Sequence, residues 1–546
     1  MGETHTVTNQ PPPLSGYNVF SSDRALVEAL AREDASGDRS EIEMLGELAG
    51  SAQAIAWGFD ANEHPPELHT HDRFGNRIDE VTFHPSWHRL METATGYGAH
   101  AAAWREARPG AHVARAAKFF VWSQVEAGHV CPISMTYAAV AALRVQPEVA
   151  AEWEPPLTAR SYDPLLRPIA RKQSALCGMA LTEKQGGSDV RANQTEAVFD
   201  ASGPLGDAYA LTGHKWFCSA PMCDAFVALA QTPEGLTCFL VPRILPDGTR
   251  NTILLQRLKD KLGNRSNATA EIEFDRTWAV RIGESGRGVR TIVEMINCTR
   301  LDCINGSAAL MRQAVAQAVH HATHRVAFGR TLVDHPLMQN VLADIALESE
   351  AATTLLMRLA GAADRAPHDP HESLVKRLGT AVGKYYVCKR GPTVVAEALE
   401  CLGGNGYVEE SILPRLYREA PVNAVWEGSG NVNALDVLRV LAKQPESIEA
   451  FFDEIRPARS EARIDSAAQA LRGALRDPSD AEARARILVE RMATLWQAAL
   501  LIQHAPAAVS DAFVASRIAG EWGHTLGTLP PNARAAQIVA RARPLG

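Results

Sequence analysis

Between Asp23 and about Arg171, apolar residues recur with helical spacing: Ala25, Leu26, Ala29 and Leu30 stand at i, i+1, i+4 and i+5, the stripe of a helix buried along one side. This stretch is predicted helical, with a proline-containing break near Asn62–Leu68. After Cys177 the period changes. Thr269-Ala-Glu-Ile-Glu-Phe274 alternates, and Ala225–Ala230 and Thr237–Val241 are short apolar runs bounded by Pro, Gly and Asp, so residues 181–283 read as a small all-β domain. Helical spacing returns from Gly288 to about Lys443, in long segments at Val289–Arg325, Leu337–Asp364 and Leu374–Leu402. Helical, β and helical blocks in that order exclude a doubly wound α/β sheet. Gly283-Glu-Ser-Gly-Arg-Gly288 sits where the β block gives way to a helix, without the GxGxxG spacing of a dinucleotide fingerprint.

Composition adds limits to this pattern. A chain of 546 residues, 46% of them hydrophobic, can bury large cores and divide into several domains. The expected domains are 1–178, 179–285, 286–445 and 446–546, the last set off by a shift in composition beyond Pro445. With 55 Lys+Arg against 63 Asp+Glu the net charge is -8, so any nucleic-acid site must be a local patch. Such a patch has one candidate: residues 451–546 hold 12 Arg and no Lys against 10 Asp+Glu, in an Ala-rich helical appendage. Nine cysteines without a CxxC make neither a disulfide framework nor a zinc site, and no metal is expected. His84 and His88 stand four apart in Phe83-His-Pro-Ser-Trp-His88, but Pro85 marks a helix start there, and packing histidines are expected. Met1–Leu14 has neither a basic nor an apolar leader region, and Met492–Ser510, although free of charged residues, carries Gln497, Gln503, His504 and Pro506. The latter is read as a buried helix and its turn, and a cytoplasmic protein without a membrane span is expected.

Four clusters carry candidate chemistry. Met179-Ala-Leu-Thr-Glu-Lys-Gln-Gly-Gly-Ser-Asp189 offers hydroxyls and glycines that let backbone approach a phosphate, although a Gly-Gly-Ser-Asp turn alone is ordinary loop chemistry. Gly213-His-Lys-Trp-Phe-Cys-Ser219 alone would be a strand with core aromatics, and Arg325–Gln339 and Glu397–Tyr407 would be helix ends and a glycine turn. Val425-Trp-Glu-Gly-Ser-Gly-Asn431 sets a carboxylate among glycines.

Together these segments resemble the acyl-CoA dehydrogenase family, whose flavin loop is usually written MTEPxAGSD and whose later motifs are RxxFGxxI…Q, GGxGY and I-Y-E-G-T. The resemblance implies that Met179, Thr182 and Ser188 bind FAD, that Phe217 covers one flavin face, and that Ser219 hydrogen-bonds N5, with Cys218 between them on the cofactor. It implies that Arg325, Phe328 and Gln339 reach the FAD of a neighbouring subunit, and that Trp426, Gly428 and Asn431 line the same cofactor. Glu427 takes the place of the base that removes the substrate α-proton; the alternative position used by some relatives, before an arginine in Cys298-Thr-Arg-Leu301, holds Thr299. Three positions depart from the pattern: Lys184 replaces the flavin-loop proline, Trp426 replaces the usual tyrosine, and Glu400 stands where glutamine is common.

These departures, with Thr6–Leu14, Phe83–His88, Leu258-Lys-Asp-Lys-Leu-Gly-Asn-Arg-Ser-Asn267 and the tail, resemble the AidB branch, flavoproteins of the bacterial adaptive response to DNA alkylation. The branch implies the acyl-CoA dehydrogenase fold: an N-terminal α-helical domain, a middle β-barrel domain, a C-terminal α-helical bundle and an extra C-terminal helical domain. It also implies a homotetramer built as a dimer of dimers, and a DNA-associated flavoprotein with at most weak, isovaleryl-CoA-like acyl-CoA dehydrogenase activity. The competing reading is an ordinary catabolic dehydrogenase of short or branched acyl chains. Sequence-independent binding of double-stranded DNA falls to Arg472, Arg476, Arg484, Arg491, Arg534 and Arg541, with Arg439 nearer the flavin motif. Interleaved Asp477, Asp480, Glu482 and Glu490 keep open the reading of a plain solvated face.

Overall fold

A computed structural model describes residues 4–106 and 108–544, which form two compact units that do not follow chain order. One comprises residues 53–111 and 125–302, the other residues 1–52, 112–124 and 303–546.

The first unit is built on a barrel. After the hairpin β1 (Glu67–His71) and β2 (Arg77–Thr82) come β3 (Cys177–Ala180), β4 (Glu196–Gly203), β5 (Gly206–Ser219), β6 (Ala225–Thr232), β7 (Gly235–Pro242), β8 (Ile253–Leu258) and β9 (Thr269–Ile282). Pairing runs β6-β4-β5-β9-β7 and returns to β6, so five strands close a ring, while β3 adds to β6 and β8 to β9. Closure removes the open edges that would otherwise template aggregation. The continuous apolar runs of β6 and β7 are buried on both faces, as their lack of alternation requires. Beside the barrel, the helix Val130–Leu143 is apolar and buried almost all round.

The helix Pro85–Gly96 begins where Pro85 predicts, with His84 as its N-cap. The two histidines diverge: the His84 ring stacks on His64 at 4.6 Å, and His88 Nδ1 shares a 2.9 Å hydrogen bond with the Tyr162 hydroxyl. The hairpin β1–β2 stands inside the stretch predicted helical. Its turn is set by Asp72, whose carboxylate accepts from the N–H groups of Phe74 and Asn76. Polar bonds dock it on the barrel: Arg77 donates to Leu255 O (2.9 Å), Arg243 to Asp79 O (2.8 Å), and Leu255 N–H to the Asp79 carboxylate (3.2 Å). Such contacts leave no trace in hydrophobic periodicity.

The second unit is a helical bundle. Its core helices are the portion of Gly288–His324 from Cys303 onward, Pro336–Arg365, Pro370–Cys401 and Gly430–Lys443, close to the predicted segments. The tail, predicted as an appendage, belongs to this same unit. Its helix Ala481–His504 drives Trp496 against Phe451 (5.4 Å between ring centres) and against Gly379, where an added Cβ would lie 2.9 Å from the indole. Trp496, Phe451 and Phe513 are fully buried, and at roughly 1.5–3 kcal/mol for each such side chain the tail is part of the core. Met492–Ser510 is a buried helix and turn, as read from sequence.

Candidate functional site

In the barrel unit, the Met179–Asp189 loop folds around a buried carboxylate. Glu183 accepts from Lys215 Nζ (2.7 Å), the Thr195 hydroxyl (2.6 Å) and the Gln194 N–H (2.6 Å), and the Lys215 ammonium also reaches Leu229 O (2.7 Å). Burial alone would raise the Glu183 carboxyl, but the Lys215 charge and the backbone N–H outweigh it and hold its pKa at about 2. The Trp216 N–H donates to Thr182 O at 2.8 Å, tying the loop to β5. The Lys184 N–H donates to His214 Nε2 at 3.0 Å, a bond that proline at this position could not make. A Cβ on Gly187 would lie 2.9 Å from the Thr182 side chain, so the loop closes tightly around that hydroxyl.

Strand β5 then bulges. Lys215 pairs with Ile272 and Cys218 with Ala270, so Trp216 and Phe217 together oppose Glu271 alone. The extra residue turns both rings outward. Phe217 is 53% exposed, whereas Cys218 is fully buried on the other side, its thiol pushed up to about 12 by burial. Ser219 shares its hydroxyl with Thr269 (3.2 Å) and accepts from Asn267 (3.4 Å). An exposed aromatic on a rigid strand, with hydroxyls of Ser219 and Thr182 in the same unit, suits a planar heterocycle with polar edges such as a flavin.

In the bundle unit, Glu427 stands on a short loop before the helix Gly430–Lys443, at φ +56°, with Gly428 at +95°. A left-handed glutamate costs of order 1 kcal/mol and persists only where its surroundings enforce it. Here the enforcement is polar: buried Lys384 donates to Gly428 O (3.0 Å), and buried Asn433 to Gly428 O (2.5 Å) and Ser429 O (3.0 Å). Trp426 Nε1–H donates to buried Asn423 at 3.1 Å, which anchors the indole of the residue preceding Glu427. Asn431 lies in the first turn of the helix that follows. In the barrel unit, Thr299 is buried and its hydroxyl donates back to Ile296 O at 3.0 Å.

Arg325 and Phe328 belong to a small hairpin, Val326–Ala327 with Arg330–Thr331, whose tip Phe328-Gly329 has positive φ at both residues. That turn holds the Phe328 ring 97% exposed; Leu337 and Tyr407 of the same unit are 82% and 80% exposed. Gln339 follows in the first turn of Pro336–Arg365. Asn9 was not singled out from sequence: it exchanges 2.8 Å bonds with the backbone of Val326 and accepts Arg325 on its carbonyl. Gln10 accepts from Asn405 of the glycine turn at 3.4 Å.

The tail arginines are mostly spent on carboxylates. Arg472 pairs with Glu449, Arg484 with Asp477, Arg534 with Asp511, Arg541 with Glu28 and Glu350, and Arg439 with Asp436. Arg541 is only 14% exposed, which makes it a structural bracket. No ion pair is present for Arg476 or Arg491 among the described residues. Sequence reasoning also passed over Arg517. Presented by a π-helical turn, Val514–Ile518, it is buried against Asp344 and Glu348.

Comparison with known proteins identifies the domains that carry these residues. Residues 9–164 match the adaptive response protein AidB N-terminal domain, 178–277 the acyl-CoA dehydrogenase middle domain, and 286–442 the acyl-CoA dehydrogenase C-terminal domain. The chain is 47% identical over 514 residues to AidB of Escherichia coli (strain K12), covering 94% of each. It is 32% identical over 524 residues to acyl-CoA dehydrogenase family member 11 of Caenorhabditis elegans, covering 88% of this chain and 80% of that one. The crystal structure of Caenorhabditis elegans ACDH-11 in complex with C11-CoA superposes with a TM-score of 0.84 at 27% identity, over 99% of this chain and 93% of that one.

Proposed function

Because the chain belongs to the acyl-CoA dehydrogenase family, in its AidB branch, and is thus an FAD-dependent oxidoreductase, we propose that it dehydrogenates acyl-CoA thioesters with Glu427 as the base. Thr182, Ser188, Phe217 and Ser219 would hold FAD, which when bound supplies the hydride acceptor. Removal of an α-proton from a thioester needs a carboxylate fixed in place. The observation that carries the reading is the left-handed Glu427, locked by Lys384 and Asn433. Trp426 narrows the space beside it and favours short or branched acyl groups. Glu427→Gln is expected to abolish anaerobic bleaching of the flavin by an acyl-CoA while FAD stays bound. Undiminished bleaching would place the base elsewhere.

The exposed Phe328, Leu337 and Tyr407 support a homotetramer in which Arg325, Phe328 and Gln339 serve the cofactor of a neighbouring copy. No helix among the described residues is long and apolar enough to cross a membrane; a cytoplasmic place of action is part of the proposal.

A role in the adaptive response to DNA alkylation, with weak sequence-independent association to duplex DNA, is the second part of the proposal. It is supported by the AidB relative and by Arg476 and Arg491, exposed arginines of the tail without an ion pair. Deleting the tail would strip Trp496 from the core, so point variants are the proper test. Arg476→Ala with Arg491→Ala should weaken gel retardation at low salt and reduce the log-log salt slope by about 0.9 for each phosphate that is no longer neutralised. Full-length protein that fails to retard duplex at micromolar concentration would exclude DNA association.

A further inference from the structure

The barrel unit carries a cationic cluster that the proposed reaction leaves unused. Strands β5 and β8 bulge on either side of one stretch of β9: Trp216 and Phe217 oppose Glu271 alone, and Gln256 is extra between Leu255, paired with Ile272, and Arg257, paired with Glu271. The two bulges gather Arg257 and Lys259 on Glu271, at 2.8 and 2.7 Å. The Lys259 ammonium then lies 3.5 Å from the Trp216 ring centre and 4.6 Å from that of Phe217. A 3.5 Å approach is too short for the ring edge, so the charge sits over the indole face. Lys184 and Arg257 approach the same indole, at 5.3 and 5.9 Å. Three cations thus gather around one indole, two of them sharing the Glu271 carboxylate. Lys259 is 13% exposed, so solvent screens its charge weakly.

We propose that Lys259 is a positioning residue for the flavin: it fixes the Trp216–Phe217 bulge through the ring faces and sets a positive charge beside Phe217 that favours the reduced, negatively charged cofactor. The inference rests on the reading in which Phe217 covers the flavin. A nearby cation stabilises the anionic form of a group, so Lys259 raises the reduction potential. Glu271 tempers that effect by pairing with the ammonium. A residue that only packed the strand would not make the two charges act in opposite directions.

The test is the midpoint potential of the FAD-loaded protein, measured by anaerobic equilibration with a reference dye, together with FAD affinity of the apoprotein. Lys259→Met should lower the potential, changing the ratio of reduced to oxidised cofactor affinity about tenfold, or ~30 mV for a two-electron couple. Glu271→Gln should raise it, and Lys259→Arg should restore the wild-type value. If Lys259→Met does not fold, the upward shift in Glu271→Gln carries the test. FAD bound by both variants at wild-type potential would overturn the inference. Wild-type protein that takes up no FAD would overturn the underlying flavin reading, a result recognisable before any variant is made.

Discussion

Replacing Arg517 by methionine keeps most of the side-chain volume and removes one charge from a closed ionic cluster. In the folded chain the guanidinium is 1% exposed, pairs with Asp344 and with Glu348 (2.9 Å), and lies against the Trp522 ring at 4.1 Å. Arg390 also reaches Glu348, at 3.0 Å, so two cations balance two carboxylates. The variant leaves two buried carboxylates facing one cation. Removing one partner of a buried pair costs about 3–5 kcal/mol. The lower end applies here, because Asp344 keeps the Trp522 Nε1–H at 3.1 Å and the Gly527 N–H at 2.8 Å. With an unfolding entropy of ~2.1 cal/mol/K per residue over a bundle unit of roughly 300 residues, a loss of ~3 kcal/mol lowers Tm by about 5 °C. Burial would raise the Glu348 carboxyl, but Arg390 and Arg517 outweigh it and hold it below its ordinary value. Loss of Arg517 therefore lets it rise, and the deficit should be larger at pH 8 than at pH 5. Scanning calorimetry of the full-length protein at both pH values measures this. A variant with wild-type Tm at pH 8 would show that the cluster does not hold the tail to the bundle, and Arg517→Met combined with Asp344→Asn, which removes the surplus charge but keeps an acceptor for Trp522 and Gly527, should regain part of the loss.

Glu350 titrates in the opposite sense. Burial, with help from Asp23 and Glu28 and against the Arg541 ion pair, pushes its carboxyl up to about 7. Its folded pKa lies above the unfolded value near 4.3, so its stabilising contribution is full at low pH and is lost as pH rises through 7. Glu350→Gln should flatten the fall in Tm between pH 5.5 and 8; an unchanged slope would place the titration in another group. Lys384→Met should leave Gly428 O with Asn433 as its remaining donor, cost about 1–3 kcal/mol, and slow acyl-CoA-dependent flavin reduction at least tenfold as the Glu427 loop relaxes. Rapid-mixing absorbance at saturating substrate reads that rate, and an unaltered rate would detach Lys384 from the geometry of Glu427.

Much of this molecule was legible in the chain because its evidence is short in range. The switch from helical to alternating spacing near Cys177 and back near Gly288, the helix start at Pro85, and the contiguous runs Met179–Asp189, Gly213–Ser219 and Val425–Asn431 are local statements about backbone and side-chain type. They determined the helical and β blocks and the family, and they singled out Glu427 as the candidate base. Position was another matter. That Trp216 and Phe217 share one partner residue depends on a strand more than 50 positions away. That Arg541 grips Glu28 and that Arg517 grips Asp344 depends on segments far apart in the chain meeting in space. An arginine count cannot separate a bracket from a phosphate ligand, because a charge far from its partner in sequence has the same composition whether it is paired or bare. The hairpin Glu67–Thr82 escaped for a related reason: hydrogen bonds to β8 hold it, and hydrogen bonds have no period. Hydrophobic burial writes its pattern along the chain, whereas charge pairing and strand register are settled only when distant segments come together.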